Sequence, residues 1–307
     1  MRRWLVLILV AWAGQALAEP VFPTGLRIGL EPPADARVST QFPGFEDPER
    51  KVKIGMLDLP AGAYERLAAT AYAPNQPGMT DVTREAFPFA SGIGLLVRGR
   101  GEHEGVAVTK WYLLATAVAG PVQNLTVLIN VEVPDAASAV YTDAVVRKAL
   151  ASVTFRPAPI QEQLSLMPFK LGELAGFRVL QVLPAGGVIL IDGPGEDINK
   201  QPYVIVSIGG GSPSDTNDRA RLARDVLNGA PLRELTQRSS EPMRIGGFQG
   251  HEIRATAKSL SGEPVTLVQW MRFGSSGYLR VVGVAHENNW DTLFPRFRKV
   301  RDGISPR

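Results

Sequence analysis

Apolar and polar residues alternate along several stretches of the chain, with the period of two that is typical of strands with one buried face. In residues 52–57 this alternation places Val52, Ile54 and Met56 on one face. Further strands are predicted at residues 26–30, 93–97, 106–114 and 125–133. The first half of the chain therefore contains enough strands for a sheet.

Helical spacing of apolar residues occurs twice in the same half. Pro60 stands at a favourable first position for a helix, and Tyr64, Leu67, Ala68, Ala71 and Tyr72 share one face after it. A second helix is predicted over residues 135–152, with Val140, Ala144, Val145 and Ala149 directed inward.

The second half follows the same order of elements. Strands are predicted at 177–183 and 188–191, joined by a hairpin turn at 184–187, and then at 203–208, 251–257, 265–273 and 279–284. Helices are predicted at 218–227, with Leu222, Ala223, Val226 and Leu227 buried, and at 291–301, with Leu293, Phe294, Phe297 and Val300 buried.

A stretch with two prolines, residues 156–163, lacks strand or helix periodicity and predicts a linker. We therefore expect two domains, at residues 19–157 and 168–307. Residues 108–112 align with 267–271, which matches Trp111 with Trp270, and residues 125–131 align with 279–285. The shared order predicts an internal repeat and an α+β fold class, with two similar domains that each have a mainly antiparallel sheet flanked by helices.

This order of elements, together with the run Gly44-Phe45-Glu46-Asp47-Pro48, resembles the PsbP-like (DcrB-like) α-β-α sandwich family, once in each half. The resemblance implies sheets with helices on both faces. It also implies a non-catalytic role, since members of the family act as binding or assembly accessories. No site motif of the family is found here, so no site residue can be transferred.

The first 18 residues predict that the protein is exported. Arg2 and Arg3 precede about ten apolar residues, and Ala16-Leu17-Ala18 has the pattern of a signal-peptidase site. A retained anchor is the alternative, but a spanning helix needs roughly 20 apolar residues. We expect a signal peptide over residues 1–18, cleavage before Glu19, no transmembrane anchor afterwards, and a periplasmic or secreted protein.

Composition excludes several classes of function. The chain has no cysteine, so thiol catalysis and iron–sulfur clusters are excluded. Arg2 and Arg3 carry two of the three net positive charges, so the mature chain is near +1 and we expect no nucleic-acid binding. About 289 residues can bury cores without the disulfides on which small secreted domains depend.

Two segments have partial resemblance to known sites. Gly209-Gly210-Gly211-Ser212 follows a strand and precedes a helix, as phosphate loops do, but it lacks the lysine of a P-loop. A flexible loop with Ser214 or Asp215 as helix cap is the simpler interpretation. Gly274-Ser275-Ser276-Gly277 lacks the Gly-x-Ser-x-Gly pattern of hydrolases and predicts a hairpin turn.

The histidines offer the other candidate chemistry. Glu102-His103-Glu104 could contribute to a metal site, although the surrounding glycines favour a solvated hairpin tip. His251-Glu252 lacks the second histidine of a zinc-protease motif, and His286-Glu287 stands alone. The pairs Glu46-Asp47 and Glu196-Asp197 are expected in solvated loops. Trp111 and Trp270 are expected in the core rather than in a ligand groove.

Three hypotheses about function remain. The favoured one is an exported, non-catalytic binding or accessory protein of the cell envelope, with a possible protein partner. The second is an exported metal-dependent hydrolase that uses Glu102, His103 and Glu104. The third is a scaffold whose two halves bury one another. We assign no catalytic, cofactor-binding or metal residue and expect no cofactor.

Overall fold

The computed structural model describes residues 19–60, 62–71, 78–89, 92–117, 122, 125–183 and 186–307. The predicted signal segment 1–18 lies outside them. The chain divides into two compact units between Pro159 and Ile160. Each unit contains a seven-stranded antiparallel sheet and flanking helices, which confirms the predicted α+β class.

The first unit is built around one sheet with two helices. Its elements are β1 (Ile28–Gly29), β2 (Arg37–Val38), β3 (Gly44–Asp47), β4 (Val52–Pro60), α1 (Ala63–Ala71), β5 (Met79–Ala86), β6 (Gly92–His103), β7 (Val106–Ala117), β8 (Leu125–Pro134), α2 (Asp143–Ala151) and β9 (Thr154–Phe155). The sheet order is β2-β3-β4-β8-β7-β6-β5, and β1 pairs separately with β9.

The second unit has the same plan. Its elements are α3 (Ile160–Ser165), β10 (Phe169–Leu171), β11 (Arg178–Leu183), β12 (Gly187–Ile191), β13 (Tyr203–Gly210), α4 (Thr216–Asn228), β14 (Arg233–Ile245), β15 (Phe248–Lys258), β16 (Pro264–Phe273), β17 (Gly277–His286), α5 (Trp290–Asp302) and β18 (Ile304–Pro306). The sheet order is β11-β12-β13-β17-β16-β15-β14, and β10 pairs with β18. Apart from α3, the order of strands and α-helices matches that of the first unit.

Several predicted bounds were wrong. Pro60 does not start a helix but ends β4, and α1 begins at Ala63. The segment predicted as a linker without periodicity contains α3. The edge strands β5 and β14 were missed, because most of their side chains are polar and exposed and so show no buried face.

The last helix of the first unit was predicted too long. A short 3-10 turn occupies Asp135–Ala137, and α2 starts only at Asp143, where the Thr142 side chain accepts a hydrogen bond from the Val145 amide. This later start changes the buried face. Val140 and Val145, which were predicted to point inward, are 43% and 36% exposed.

The two units differ in how many faces of the sheet are buried in apolar clusters. In the second unit one cluster contains Trp270 of β16 together with Phe297 of α5, and another contains Ile253 of β15 together with Ala223 of α4. In the described part of the first unit a single cluster forms, on the face covered by α2, and it includes Trp111. None of the described helices has the length and apolar character needed to cross a membrane.

The packing of α5 on its sheet depends on a glycine in β17. A Cβ atom added at Gly283 would lie 2.6 Å from the Phe297 ring, and Phe297 is fully buried. We expect Gly283→Ala to lower the free energy of unfolding by about 1–3 kcal/mol, the usual cost of an overpacked core, as measured by urea denaturation. Gly210→Ala is the matched control, since no atom lies within 4 Å of its added Cβ. Equal loss in both variants would contradict this account.

Candidate functional site

The face of the first sheet opposite the apolar cluster carries charged residues in its central strands. Successive residues of a strand point to opposite faces. Ile54, Trp111 and Val131 are buried in the apolar cluster, so the neighbouring residues Lys53, Lys110 and Glu132 project from the other face.

These charges form a row across five adjacent strands. The cross-strand partners are Arg37 with Glu46, Glu46 with Lys53, Lys53 with Glu132, and Glu132 with Lys110. Directly opposed residues lie on the same face, and pairs of opposite charge are stabilising. Because the sign alternates along the whole series, each inner charge has opposite charges on both sides. We call this series the charged row.

His103 joins the charged row from the end of β6. Its Nδ1 lies 3.2 Å from Glu132 Oε2, and its Nε2 lies 3.0 Å from Lys53 Nζ. On the other side of Glu132, Lys110 Nζ lies 3.5 Å from Oε1. Glu132 is 11% exposed and Lys110 is 12% exposed, so these charges depend on their pairing for compensation.

The contacts of His103 determine its tautomer. A lysine ammonium has three donors and no acceptor, so Nε2 of His103 must accept from Lys53. The proton of the neutral imidazole is then on Nδ1, which donates to Glu132. The side chains from Lys53 through His103 and Glu132 to Lys110 therefore form one continuous chain of polar contacts.

A pocket of about 250 Å³ opens beside this chain, where the β3–β4 turn, the β6–β7 hairpin and the end of β8 meet. Its polar lining comes from Lys53, His103 and Glu132 together with residues of the turn. Val52 and Val108 are buried, whereas Val106 is 42% exposed. The pocket thus combines an apolar side with charges of both signs.

Asp47 holds the turn that borders the pocket. Its Oδ1 accepts from the backbone amides of Glu49 and Arg50, and its Oδ2 accepts from Arg50 Nη1 and from the Tyr141 hydroxyl, both at 2.9 Å. Asp47 is 2% exposed. The expectation of a solvated Glu46-Asp47 pair is therefore wrong for Asp47, because the carboxylate serves as an internal cap.

This environment shifts the pKa of both partners. Burial alone would raise the pKa of Asp47, but the hydrogen bonds from Arg50 and Tyr141 outweigh it and hold that pKa below its ordinary value. Burial, together with the bond to Asp47, raises the pKa of Tyr141. The same turn carries Lys51, whose φ of 57° lies in the left-handed region.

The second unit has uncharged residues at the positions that correspond to Lys110 and Glu132. When Trp111 is matched with Trp270, Lys110 corresponds to Gln269. The cross-strand partner of Lys110 is Glu132, and that of Gln269 is Val282. Gln269 is fully buried and donates from Nε2 to the carbonyl of Ala223 in α4 at 2.8 Å. The face that is charged in the first unit is thus a core under α4 in the second.

The candidate group Glu102-His103-Glu104 is brought together only in part. Glu102 and His103 are consecutive strand residues and so point to opposite faces, while Glu104 Oε1 lies 3.6 Å from His103 Nε2. Among the described residues no group of three or more histidine, aspartate or glutamate side chains is placed to hold a metal ion. His103 instead contacts Glu132, which the sequence prediction missed.

The glycine-rich segment is part of a strand and a short loop. Gly209 and Gly210 pair with Tyr278 and Gly277 in β17, and the Ser212 hydroxyl donates to the Gly274 carbonyl. Asp215 caps α4 as predicted, accepting from the amides of residues 217 and 218. The backbone groups of the two glycines are therefore used in the sheet.

The remaining candidates have structural surroundings. Residues 274–277 form the predicted turn between β16 and β17. His251 is 2% exposed, and its Nε2 lies 2.8 Å from Ser240 Oγ, while its Nδ1 has no partner among the described residues. Without a carboxylate on Nδ1, this pair lacks the third member of a catalytic triad. Burial lowers the pKa of His251.

The tryptophans lie in the core, as predicted. Trp111 and Trp270 are 2% and 1% exposed, and their indole N–H groups donate to Asp143 at 3.0 Å and to Glu252 at 2.6 Å. Glu196 and Asp197 lie in the exposed loop between β12 and β13, as expected for that pair.

The comparisons with known proteins concern the fold. No protein-family model and no curated protein matches this chain. Similar solved structures include LpqN of Mycobacterium tuberculosis, described as involved in cell envelope biogenesis, with 14% identity, 45% of this chain and 82% of that chain covered, and a TM-score of 0.37. The cyanobacterial PsbP of Synechocystis is 16% identical, with 43% of this chain and 82% of that chain covered and a TM-score of 0.30. The T6SS immunity protein TplEi of Pseudomonas aeruginosa is 13% identical, with 94% of this chain and 96% of that chain covered and a TM-score of 0.31. A cyanobacterial PsbP is thus among the solved structures to which the chain is similar.

The tautomer of His103 is open to direct measurement. We expect the Nδ1–H form at pH 8 in long-range ¹H–¹⁵N correlation spectra, with His103 assigned by a His103→Gln variant. Lys53→Met removes the donor to Nε2 and should abolish this preference, while the signals of His251 and His286 stay unchanged. An Nε2–H tautomer in the wild-type chain would contradict the contact with Lys53.

The lowered pKa of Asp47 predicts a pH-dependent contribution to stability. A depressed pKa stabilises the fold above the unfolded-state value, near 3.8, and this contribution is lost as the pH falls through the folded-state value. We expect Asp47→Asn to cost about 1–2 kcal/mol at pH 7, and the gap to the wild type to close below about pH 4. Urea denaturation across pH 2–8 measures it, with exposed Glu49→Gln as control. A gap that persists at pH 2 would refute the assignment.

Proposed function

We infer that this chain is an exported, non-catalytic binding protein of the cell envelope, which contacts a partner protein through the pocket and charged row of its first unit. The pocket of about 250 Å³ beside Val106 carries this proposal. It combines exposed apolar surface with charges of both signs, and such surfaces are typical of sites where proteins meet.

The internal pairing of the charges supports binding rather than metal-dependent hydrolysis. The lone pair on His103 Nε2, which a metal ion would need, is occupied by Lys53, and Glu132 is engaged by His103 and Lys110. The ammonium groups of Lys110, beside Glu132, and of Lys53, beside His103, also repel a cation. The arrangement therefore favours a fixed pattern of charge over a reactive centre.

The assignment to the envelope depends on the predicted signal peptide. Residues 1–18 have the order of a cleavable export signal, and the resemblance to the PsbP-like family implies an accessory role. Export predicts that the protein recovered from the periplasm or medium begins at Glu19. Mass spectrometry of the recovered chain measures this, and replacement of Ala18 by lysine should block the cleavage.

The binding proposal is tested by capture of envelope proteins on the mature chain, residues 19–307. Val106→Asp places a charge on the apolar side of the pocket and should reduce capture of a specific partner at least tenfold. Val140→Asp is the matched control, since the two valines are 42% and 43% exposed and Val140 lies outside the pocket. A partner retained equally by both variants, or none that depends on Val106, would refute the proposed function.

A further inference from the structure

The second unit contains a filled counterpart of the pocket in the first. A space of about 10 Å³ lies where the β12–β13 loop, the β15–β16 hairpin and the end of β17 meet, the same three places that border the open pocket. When Trp111 is matched with Trp270, Val106 corresponds to Val265. The cross-strand partners of these tryptophans are Val131 and Val281, and matching them makes Pro134 correspond to Val284. Val106 and Pro134 line the open pocket, and Val265 and Val284 line the filled one.

The difference between the pockets lies in one connection. In the first unit β3 and β4 are joined by four residues, 48–51, whereas β12 and β13 are joined by eleven, 192–202. The longer loop provides Ile198, Asn199 and Gln201 to the lining of the second pocket, and Ile198 packs on the apolar cluster under α4. The remaining space is about that of one water molecule.

The base of this loop is held in a fixed form. The Asp192 amide donates to the Pro202 carbonyl at 2.9 Å, and both Asp192 carboxylate oxygens accept from Arg296, at 2.6 and 2.9 Å. Arg178 donates to the carbonyl groups of residues 193–195. The two ends of the loop therefore lie side by side, and Ile198 packs on the apolar cluster under α4.

The sequence of the loop matches the border of the open pocket. Ile198 is preceded by Glu196 and Asp197 and followed, after Asn199, by Lys200. Exposed Lys51 stands on the turn side of the open pocket and exposed Glu104 on the hairpin side. An aliphatic side chain flanked by charges of both signs thus has complementary surroundings in the first unit.

We propose that the open pocket receives a loop of the partner protein in the position that residues 192–202 occupy in the second unit, with an aliphatic residue against Val106 and charged residues of both signs beside it. This inference rests on the proposed function and specifies the part of the partner that is recognised. A cavity of roughly 150 Å³ already holds a benzene molecule, so 250 Å³ accommodates one aliphatic side chain with adjoining backbone.

The probe is a head-to-tail cyclic peptide with the sequence of residues 192–202, labelled with a fluorophore, because the ends of the loop are adjacent in the structure. Fluorescence anisotropy with the mature chain should show saturable binding. We expect at least tenfold weaker binding to Val106→Asp, unchanged binding to Val140→Asp, at least fivefold weaker binding of a peptide with Ile198→Ala, and weakening by salt, which screens exposed charges.

Each outcome separates this inference from the proposed function. Circular dichroism first establishes that Val106→Asp is folded. Absence of saturable binding up to millimolar peptide, or binding that Val106→Asp leaves intact, overturns the inference. If an envelope partner is lost on Val106→Asp while the peptide does not bind, the proposed function stands and the loop inference fails. If the peptide binds through Val106 and no partner is captured, the pocket recognises a loop of this kind, but the proposed envelope partner, and with it the proposed function, is refuted.

Discussion

The pairing of Lys53, Glu132 and Lys110 across β4, β8 and β7 determines what can cover the first sheet. Three charges in the central strands cannot be placed under an apolar helix without a large desolvation cost. Lys110 pairs with Glu132 directly, and Lys53 is joined to Glu132 through His103 at the end of β6. This part of the face is therefore polar, and the pocket lies beside the inner members of the charged row. The opposite face of the same strands supplies the core that holds the unit together.

The second unit uses the same strand order for a different purpose. Uncharged side chains replace the charges, α4 covers them, and the buried Gln269 side chain bonds to the backbone of that helix. The long loop with Ile198 then fills the end of the sheet. With both faces buried, this unit gains a second core and has little open space at that end. The difference between the halves follows from a few residues in equivalent strands.

The sequence allowed the fold class and the central strands to be predicted, because Val52, Ile54, Trp111 and Trp270 follow strand periodicity on a buried face. It did not reveal β5 and β14, since edge strands with exposed polar residues have no buried face to produce a pattern. The start of α2 was also missed, because Thr142 as helix cap is a local choice that apolar spacing does not specify. The sequence alignment of segments 125–131 and 279–285 matched Val131 with Ala285. In the structure Val131 is instead equivalent to Val281, because these two residues are the cross-strand partners of Trp111 and Trp270. The alignment was thus four residues out of register.

The site was harder to predict because its members are distant in sequence and join only through strand pairing. His103 stood out as a histidine between two glutamates, yet its partners are Lys53 and Glu132, from two other strands. A usable signal was present: Lys53, Lys110 and Glu132 are charged residues in mainly apolar strands, on the face opposite the core. Exposure to solvent explains one such residue. Three charged residues in central strands need opposite charges close by, so their strands are expected to be neighbours. Charged residues at alternate positions of central strands therefore predict a shared polar face before any pairing is known, and the sign of each charge predicts which strands are neighbours.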